Sequence, residues 1–169
     1  APNKPHNCLY VINPAGQIAD RYDKRFLTPR DLQYYTAGDH FISFDINNVR
    51  CSALICFDLR FPELARTLAL KQAEILCISA QWPTVRIDHW SLLLKARAVE
   101  NQLFVVGCNG CGPAGRLILG GHSAIISPSG QTIAEANDGE SYLLGEVNFA
   151  EMASFREKIP CLSDRVPAS

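Results

Sequence analysis

The stretch Cys51-Ser52-Ala53-Leu54-Ile55-Cys56-Phe57-Asp58-Leu59-Arg60-Phe61-Pro62-Glu63-Leu64 runs an apolar strand into a cysteine and, a few residues later, into a helix opening near Pro62. A thiol at such a strand-to-helix turn projects above the sheet edge, where open α/β sheets bind their ligands. A nearby helix N-terminus favours the thiolate, which is the nucleophilic form. Cysteine is also among the most buried residue types, and Cys8, Cys51, Cys77 and Cys161 are read in that ordinary way.

Working outward, Val11–Ile12 and Gln17–Tyr22 read as strands joined by the turn Asn13-Pro14-Ala15-Gly16. His40–Ile46 and Val49–Cys56 form a second hairpin with Asn47–Asn48 at its tip. A helix over about Pro62 to Ala73, a strand Ile75–Ser79 and a helix over about Asp88–Gln102 follow, the last with Leu92, Leu93, Ala96 and Val99 on one face. Leu103–Cys108 reads as a buried strand and the Gly/Pro-rich stretch Gly107–Gly121 as a loop. Strands at Ser123–Ile126, Gln131–Ala136 and Ser141–Val147 precede a last helix, Phe149–Lys158. Strand and helix alternate, so the fold class is α/β.

Val11–Ala19 resembles Ile125–Ala134: each is a strand, an Asn/Ser-Pro-small-Gly-Gln turn and a strand. Turns converge, but a duplicated α/β half gives the same pattern. The second copy follows a strand–helix–strand–helix–strand unit, whereas little precedes the first. If the halves are equivalent, the front of the first half lies outside this sequence. The chain also opens on Ala1 without an initiator methionine, and Met152 is its only methionine.

The 169 residues, 47% apolar and 20% charged, suit one globular domain with a real core. A net charge of −1 offers no basic excess for nucleic acid. No apolar run approaches the ~20 residues of a membrane span. Ala1–Cys8 is polar with two prolines, unlike a signal peptide. Seven cysteines without framework spacing argue for reduced thiols and a cytoplasmic location. Cys108-Asn109-Gly110-Cys111 is a lone C-x-x-C in a Gly-rich loop, a weak thiol-redox signal, and the four histidines show no metal spacing.

Several motifs share a resemblance. Cys56-Phe57-Asp58-Leu59-Arg60-Phe61-Pro62-Glu63 resembles the nucleophile signature of the nitrilase (carbon–nitrogen hydrolase) superfamily, Cys-Tyr/Phe-Asp-x-Arg-Phe-Pro-Glu, in the form of its Nit-like omega-amidase branch. Tyr22-Asp23-Lys24-Arg25-Phe26-Leu27 is similar to the family's Tyr-x-Lys-x-His-Leu, and Arg97-Ala98-Val99-Glu100-Asn101-Gln102 to its Arg-Ala-x-Glu-Asn-Gln helix. Gly121-His122-Ser123 and Ser127-Pro128-Ser129-Gly130 are similar to its Gly-x-Ser strand and following turn. The resemblance runs from about Cys8 to Val166.

It implies an α-β-β-α sandwich of two pseudo-equivalent halves, here without its N-terminal segment, and residues 1–169 as one truncated domain. It further implies Cys56 as nucleophile, with Lys24 and the backbone N–H of Phe57 holding the oxyanion, and hydrolysis of a small amide through a thioester without a cofactor. The family's catalytic Glu has no match; Glu63 belongs to the Cys56 motif and its helix. That Glu is expected upstream of Ala1, so this chain alone is expected to be inactive, the alternative being a non-catalytic protein on the same fold. Where several members carry a further Glu there is Asp31, a shorter carboxylate that could still bond the lysine.

Substrate residues are less sharply marked. Trp82 either walls a pocket or anchors its loop, and His89-Trp90 is structural or at the rim. Arg60 either grips a substrate carboxylate or pairs with Asp58 or Glu63. The omega-amidase resemblance implies a monoamide of a small dicarboxylic acid as substrate and a homodimer or larger homo-oligomer.

Overall fold

The computed structural model describes residues 4–166. Strands β1 (Cys8–Ile12) and β2 (Ile18–Asp23) pair antiparallel in a sheet of their own. A six-stranded sheet holds β3 (Phe44–Ile46), β4 (Val49–Ile55), β5 (Ile75–Ala80), β6 (Phe104–Asn109), β9 (Ala124–Ile126) and β10 (Thr132–Glu135), in the order β10-β9-β6-β5-β4-β3. Its centre, β4-β5-β6, is parallel and the flanking pairs are antiparallel. Parallel neighbours need crossovers, supplied here by α1 (Pro62–Leu70) and α2 (Ile87–Asn101). A short hairpin of β7 (Cys111–Ala114) and β8 (Leu117–Gly120), and α3 (Phe149–Lys158), complete the chain.

The central strands carry the core. Leu54, Leu68, Leu76, Ile78, Trp90 and Leu94 are each at most 1% exposed, and each such side chain contributes about 1.5–3 kcal/mol on burial. Gly107 lets α2 approach β6 closely: a Cβ there would fall 2.8 Å from both Leu94 and Trp90. The Trp90 indole N–H donates to the His122 carbonyl at 2.7 Å, tying α2 to the segment before β9.

The turns carry their expected chemistry. Asn47 and Asn48 both have positive φ, the two-residue hairpin geometry. The two similar turns also bond alike. Gly16 N–H donates to the Asn13 carbonyl and Gly130 N–H to Ser127, both at 2.9 Å, while Asn13 N–H reaches Gln17 and Ser127 N–H reaches Gln131. Asn148 caps α3 by accepting from the backbone of Ala150 and Glu151.

Five expectations are corrected. The strand anticipated over His40–Ile46 shrinks to Phe44–Ile46; Ser43 meets Ser52 through their hydroxyls, and Ile42 turns into the core. The Gly107–Gly121 loop contains the β7–β8 hairpin, masked in sequence by Gly112, which has positive φ inside β7, and by Gly115, which lies in the hairpin turn. No strand forms over Ser141–Val147: Tyr142 and Leu144 are exposed, and Gly145 passes against Ile125 and Ile133. On α2 the buried face is Trp90, Leu94, Arg97, Ala98 and Asn101, leaving Leu92 and Val99 exposed; buried polar side chains had disguised that stripe. Cys161 is exposed rather than buried, on the turn after α3.

Candidate active site

Strand β4 is buried along Cys51–Ile55, and the chain leaves it through Cys56 at φ 47°. A left-handed conformation at a residue with a Cβ costs roughly 1–2 kcal/mol, so the surroundings must hold it. Residues Cys56–Arg60 form a 3₁₀ turn that leads into α1, with Pro62 at the helix start. Arg97 clamps this turn, its Nε and a terminal nitrogen donating to the Leu59 carbonyl at 3.0 and 2.8 Å. The guanidinium also pairs with Glu100 at 2.9 Å. The Arg-Ala-x-Glu-Asn-Gln helix therefore supports the cysteine turn from behind.

Lys24 follows β2 and is 3% exposed. Its Nζ lies 2.6 Å from Asp31 Oδ2. Thr28 and Asp31 bond reciprocally: Thr28 N–H donates to the carboxylate and Asp31 N–H to the threonine hydroxyl, which fixes the acid toward the lysine. The shorter carboxylate reaches. Burial pushes the Asp31 carboxyl up, but the Lys24 ammonium and the Thr28 N–H and hydroxyl outweigh it and hold the group below its ordinary value. Stability from a depressed carboxyl is complete above the unfolded value of about 3.9 and is lost as pH falls through the folded value. Thermal melts of Asp31→Asn and the unmodified protein are expected to differ at about pH 7 and to converge toward about pH 2; an equal difference at both would show that the ion pair is not its source.

Lys24, Asp31, Cys56, Phe57, Arg60 and Trp82 all line one cleft of about 1320 Å³. The C-terminal ends of β4 and β5 form its floor through Ile55, Ser79 and Ala80, the edge at which open α/β sheets bind ligands. Arg60 pairs with neither Asp58 nor Glu63. Its guanidinium stacks 4.6 Å over the Trp82 ring and lies 3.4 Å from His89 Nδ1. Burial and the like charge of nearby Arg86 disfavour the Arg60 cation, an environment that an incoming carboxylate would relieve. Trp82 lines the cleft and also anchors its own loop. One face carries Arg60, while its indole N–H anchors the Arg86 carbonyl at 2.8 Å.

Three polar residues of this region escaped sequence reading. Arg30 and Arg86 line the cleft without an ion-pair partner among the described residues. Asn109, 7% exposed, accepts from Trp82 N–H and donates to the carbonyls of Trp82 and Gly121, fastening the loop behind the Trp82 wall. Cys108 and Cys111 do not line the cleft, and all seven thiols are free.

The fold is a parallel-centred α/β sheet with a thiol just past the C-terminal end of its strand β4. The family described as carbon-nitrogen hydrolase matches residues 1–157, and the chain belongs to that family. It is 41% identical over 161 residues to a 2-oxoglutaramate amidase of Bacillus subtilis, covering 94% of this chain and 62% of that protein. The fold matches Nit3 of Saccharomyces cerevisiae, a member of branch 10 of the nitrilase superfamily, with a TM-score of 0.86 and 30% identity over 92% of this chain and 58% of that one. It also matches a variant of the amidase from Nesterenkonia sp. AN1 (TM-score 0.83, 25% identity, 94% of this chain and 58% of that one), which shows covalent addition of the acetamide moiety of fluoroacetamide at the active-site cysteine. The chain thus spans about three fifths of the length of these relatives. No helix among the described residues is long and apolar enough to cross a membrane.

Proposed function

We propose that residues 1–169 belong to one carbon–nitrogen hydrolase domain in which Cys56 cleaves the amide of a small dicarboxylic acid. The carrying observation is that Cys56 and Lys24, borne by different sheets, line one cleft with three further cations, Arg30, Arg60 and Arg86. Cys56 Sγ attacks the amide carbonyl, forming the C–S bond, while Lys24 Nζ and the Phe57 N–H hold the oxyanion. The C–N bond then breaks, ammonia leaves with an added proton, and water cleaves the thioester to release the acid and the thiol.

An acid–base group speeds the departure of ammonia, which otherwise takes its proton from the thiol through solvent, and hydrolysis of the thioester requires such a group. Among the described residues Asp31 is the only carboxylate lining the cleft, and it is engaged with Lys24, while Glu63 is exposed on α1. We place the acid–base carboxylate outside these 169 residues, in keeping with the greater length of the relatives. The same shortage of carboxylates supports a second reading, a non-catalytic protein that keeps the binding cleft. We further propose that the chain forms a homodimer or larger homo-oligomer, a reading supported by the exposed Leu92 and Val99 of α2.

The cationic cleft and the relative named 2-oxoglutaramate amidase support a monoamide of a dicarboxylic acid as substrate. In the protein extended at its N-terminus to the length of its relatives, ammonia release from succinamate is expected to exceed that from neutral butyramide by about tenfold or more in kcat/KM, and Arg60→Gln to erase most of that margin. Release of no ammonia from either amide would favour the non-catalytic reading; equal rates would remove the carboxylate preference.

A further inference from the structure

Cys56 and Lys24 stand on separate sheets, so no strand pairing fixes one against the other. A buried carboxylate connects them by hydrogen bonds. Asp58, 0% exposed, accepts the Tyr22 hydroxyl at 2.8 Å and the Phe26 N–H at 2.8 Å, and it accepts the Ile55 N–H at 3.1 Å. Tyr22 and Phe26 lie two residues to either side of Lys24, and Ile55 immediately precedes Cys56. We infer that Asp58 is a positioning residue that sets the Lys24 ammonium against the Cys56 thiol.

The surroundings favour this role over simple core filling. A buried carboxylate is costly, and burial pushes Asp58 up despite the donors that pull it down. An apolar residue would fill the same volume without that cost but would leave the Phe26 and Ile55 N–H groups unpaired. Tyr22 is 0% exposed, and burial together with the Asp58 charge pushes its hydroxyl far up, so it stays a donor. Beside the carboxylate, Phe26 stacks on Phe61 with centroids 3.6 Å apart and planes 10° apart, a second link between the two segments. The Lys24 backbone is held from behind, its N–H by the Asn7 carbonyl and its C=O by the Gly38 N–H, both at 2.9 Å. The Lys24 backbone is thus fastened to the segments just before β1 and after β2, and Asp58 sets where that unit stands relative to the thiol.

The inference rests on the reading of Cys56 and Lys24 as the reacting pair, and the test separates the two. The mono-p-nitrophenyl ester of succinic acid acylates a thiol without needing a protonated leaving group, so acylation can be followed in this chain by stopped-flow release of nitrophenolate. Saturation with ester gives an acylation rate constant and a binding constant separately. Tyr22→Phe, which removes one of three donors, is expected to slow acylation about tenfold, and Asp58→Asn about a hundredfold, each with ester binding unchanged within twofold. Far-UV circular dichroism and thermal melts identify the folded variants; if Asp58→Asn does not fold, Tyr22→Phe decides. A folded variant that acylates within twofold of the parent, or loses only ester binding, overturns the positioning role. A parent chain without a burst overturns the Cys56–Lys24 reading itself.

Discussion

Assayed alone, the 169-residue chain is expected to release at most one equivalent of ammonia from an omega-amide and then to stop. Acyl transfer to Cys56 uses a thiol and an oxyanion site, and both are within the cleft. Release of the acyl group uses a water molecule with a proton acceptor beside it. Asp31 cannot fill that place without giving up Lys24, from which it stands 2.6 Å away. Groups that act as a unit are strongly non-additive, so the lack of one member lowers turnover by about 10³-fold or more rather than by a fraction. Extension of the chain to the length of its relatives is expected to restore multiple turnover, and Cys56→Ala in the extended chain to remove it. Ammonia release by the unextended chain continuing over many equivalents would overturn the assignment of the base.

The second large effect is at Lys24. Replacing it with methionine keeps an unbranched stem of similar length and removes the ammonium, so acylation is expected to slow by about 10²–10³-fold, the usual cost of one preorganised oxyanion donor. The ester should still bind, because Arg30, Arg60 and Arg86 remain in the cleft. Lys24→Arg is not expected to rescue: the lysine is 3% exposed and its Nζ meets Asp31 at 2.6 Å, a point contact that a longer, planar guanidinium does not reproduce. Stopped-flow acylation of both variants measures this. A Lys24→Met protein that acylates at the parent rate would return Lys24 to a purely structural ion pair.

What the sequence showed of this site follows from how local each feature is. The cysteine turn was legible because its strand, thiol, 3₁₀ turn and Pro62-led helix are contiguous. The turns at Asn13–Gly16 and Ser127–Gly130 were legible for the same reason, and their matching hydrogen bonds bear out the likeness read between them. Asp58 was visible only as a letter of the motif, because its partners Phe26 and Tyr22 lie 32 and 36 residues away. The inner face of α2 was misread because Arg97 and Asn101 sit where an apolar stripe was sought. Arg97 donates to the Leu59 carbonyl and the Asn101 amide N–H to the helix backbone, which periodicity cannot show. The β7–β8 hairpin was hidden by Gly112, which sits within its first strand, and by Gly115, which serves its turn rather than a free loop.

The most direct measurement is the intact mass of the chain after brief mixing with an omega-amide, followed by peptide mapping at low pH, where thioesters persist. Cys56 alone among seven thiols combines a left-handed backbone at a strand end with a place in the cleft that Lys24 also lines. The account predicts a single added acyl group, with ammonia lost, on the peptide bearing Cys56, and none in Cys56→Ala. An acyl group found on another cysteine, or hydrolysis that persists in Cys56→Ala, would contradict it.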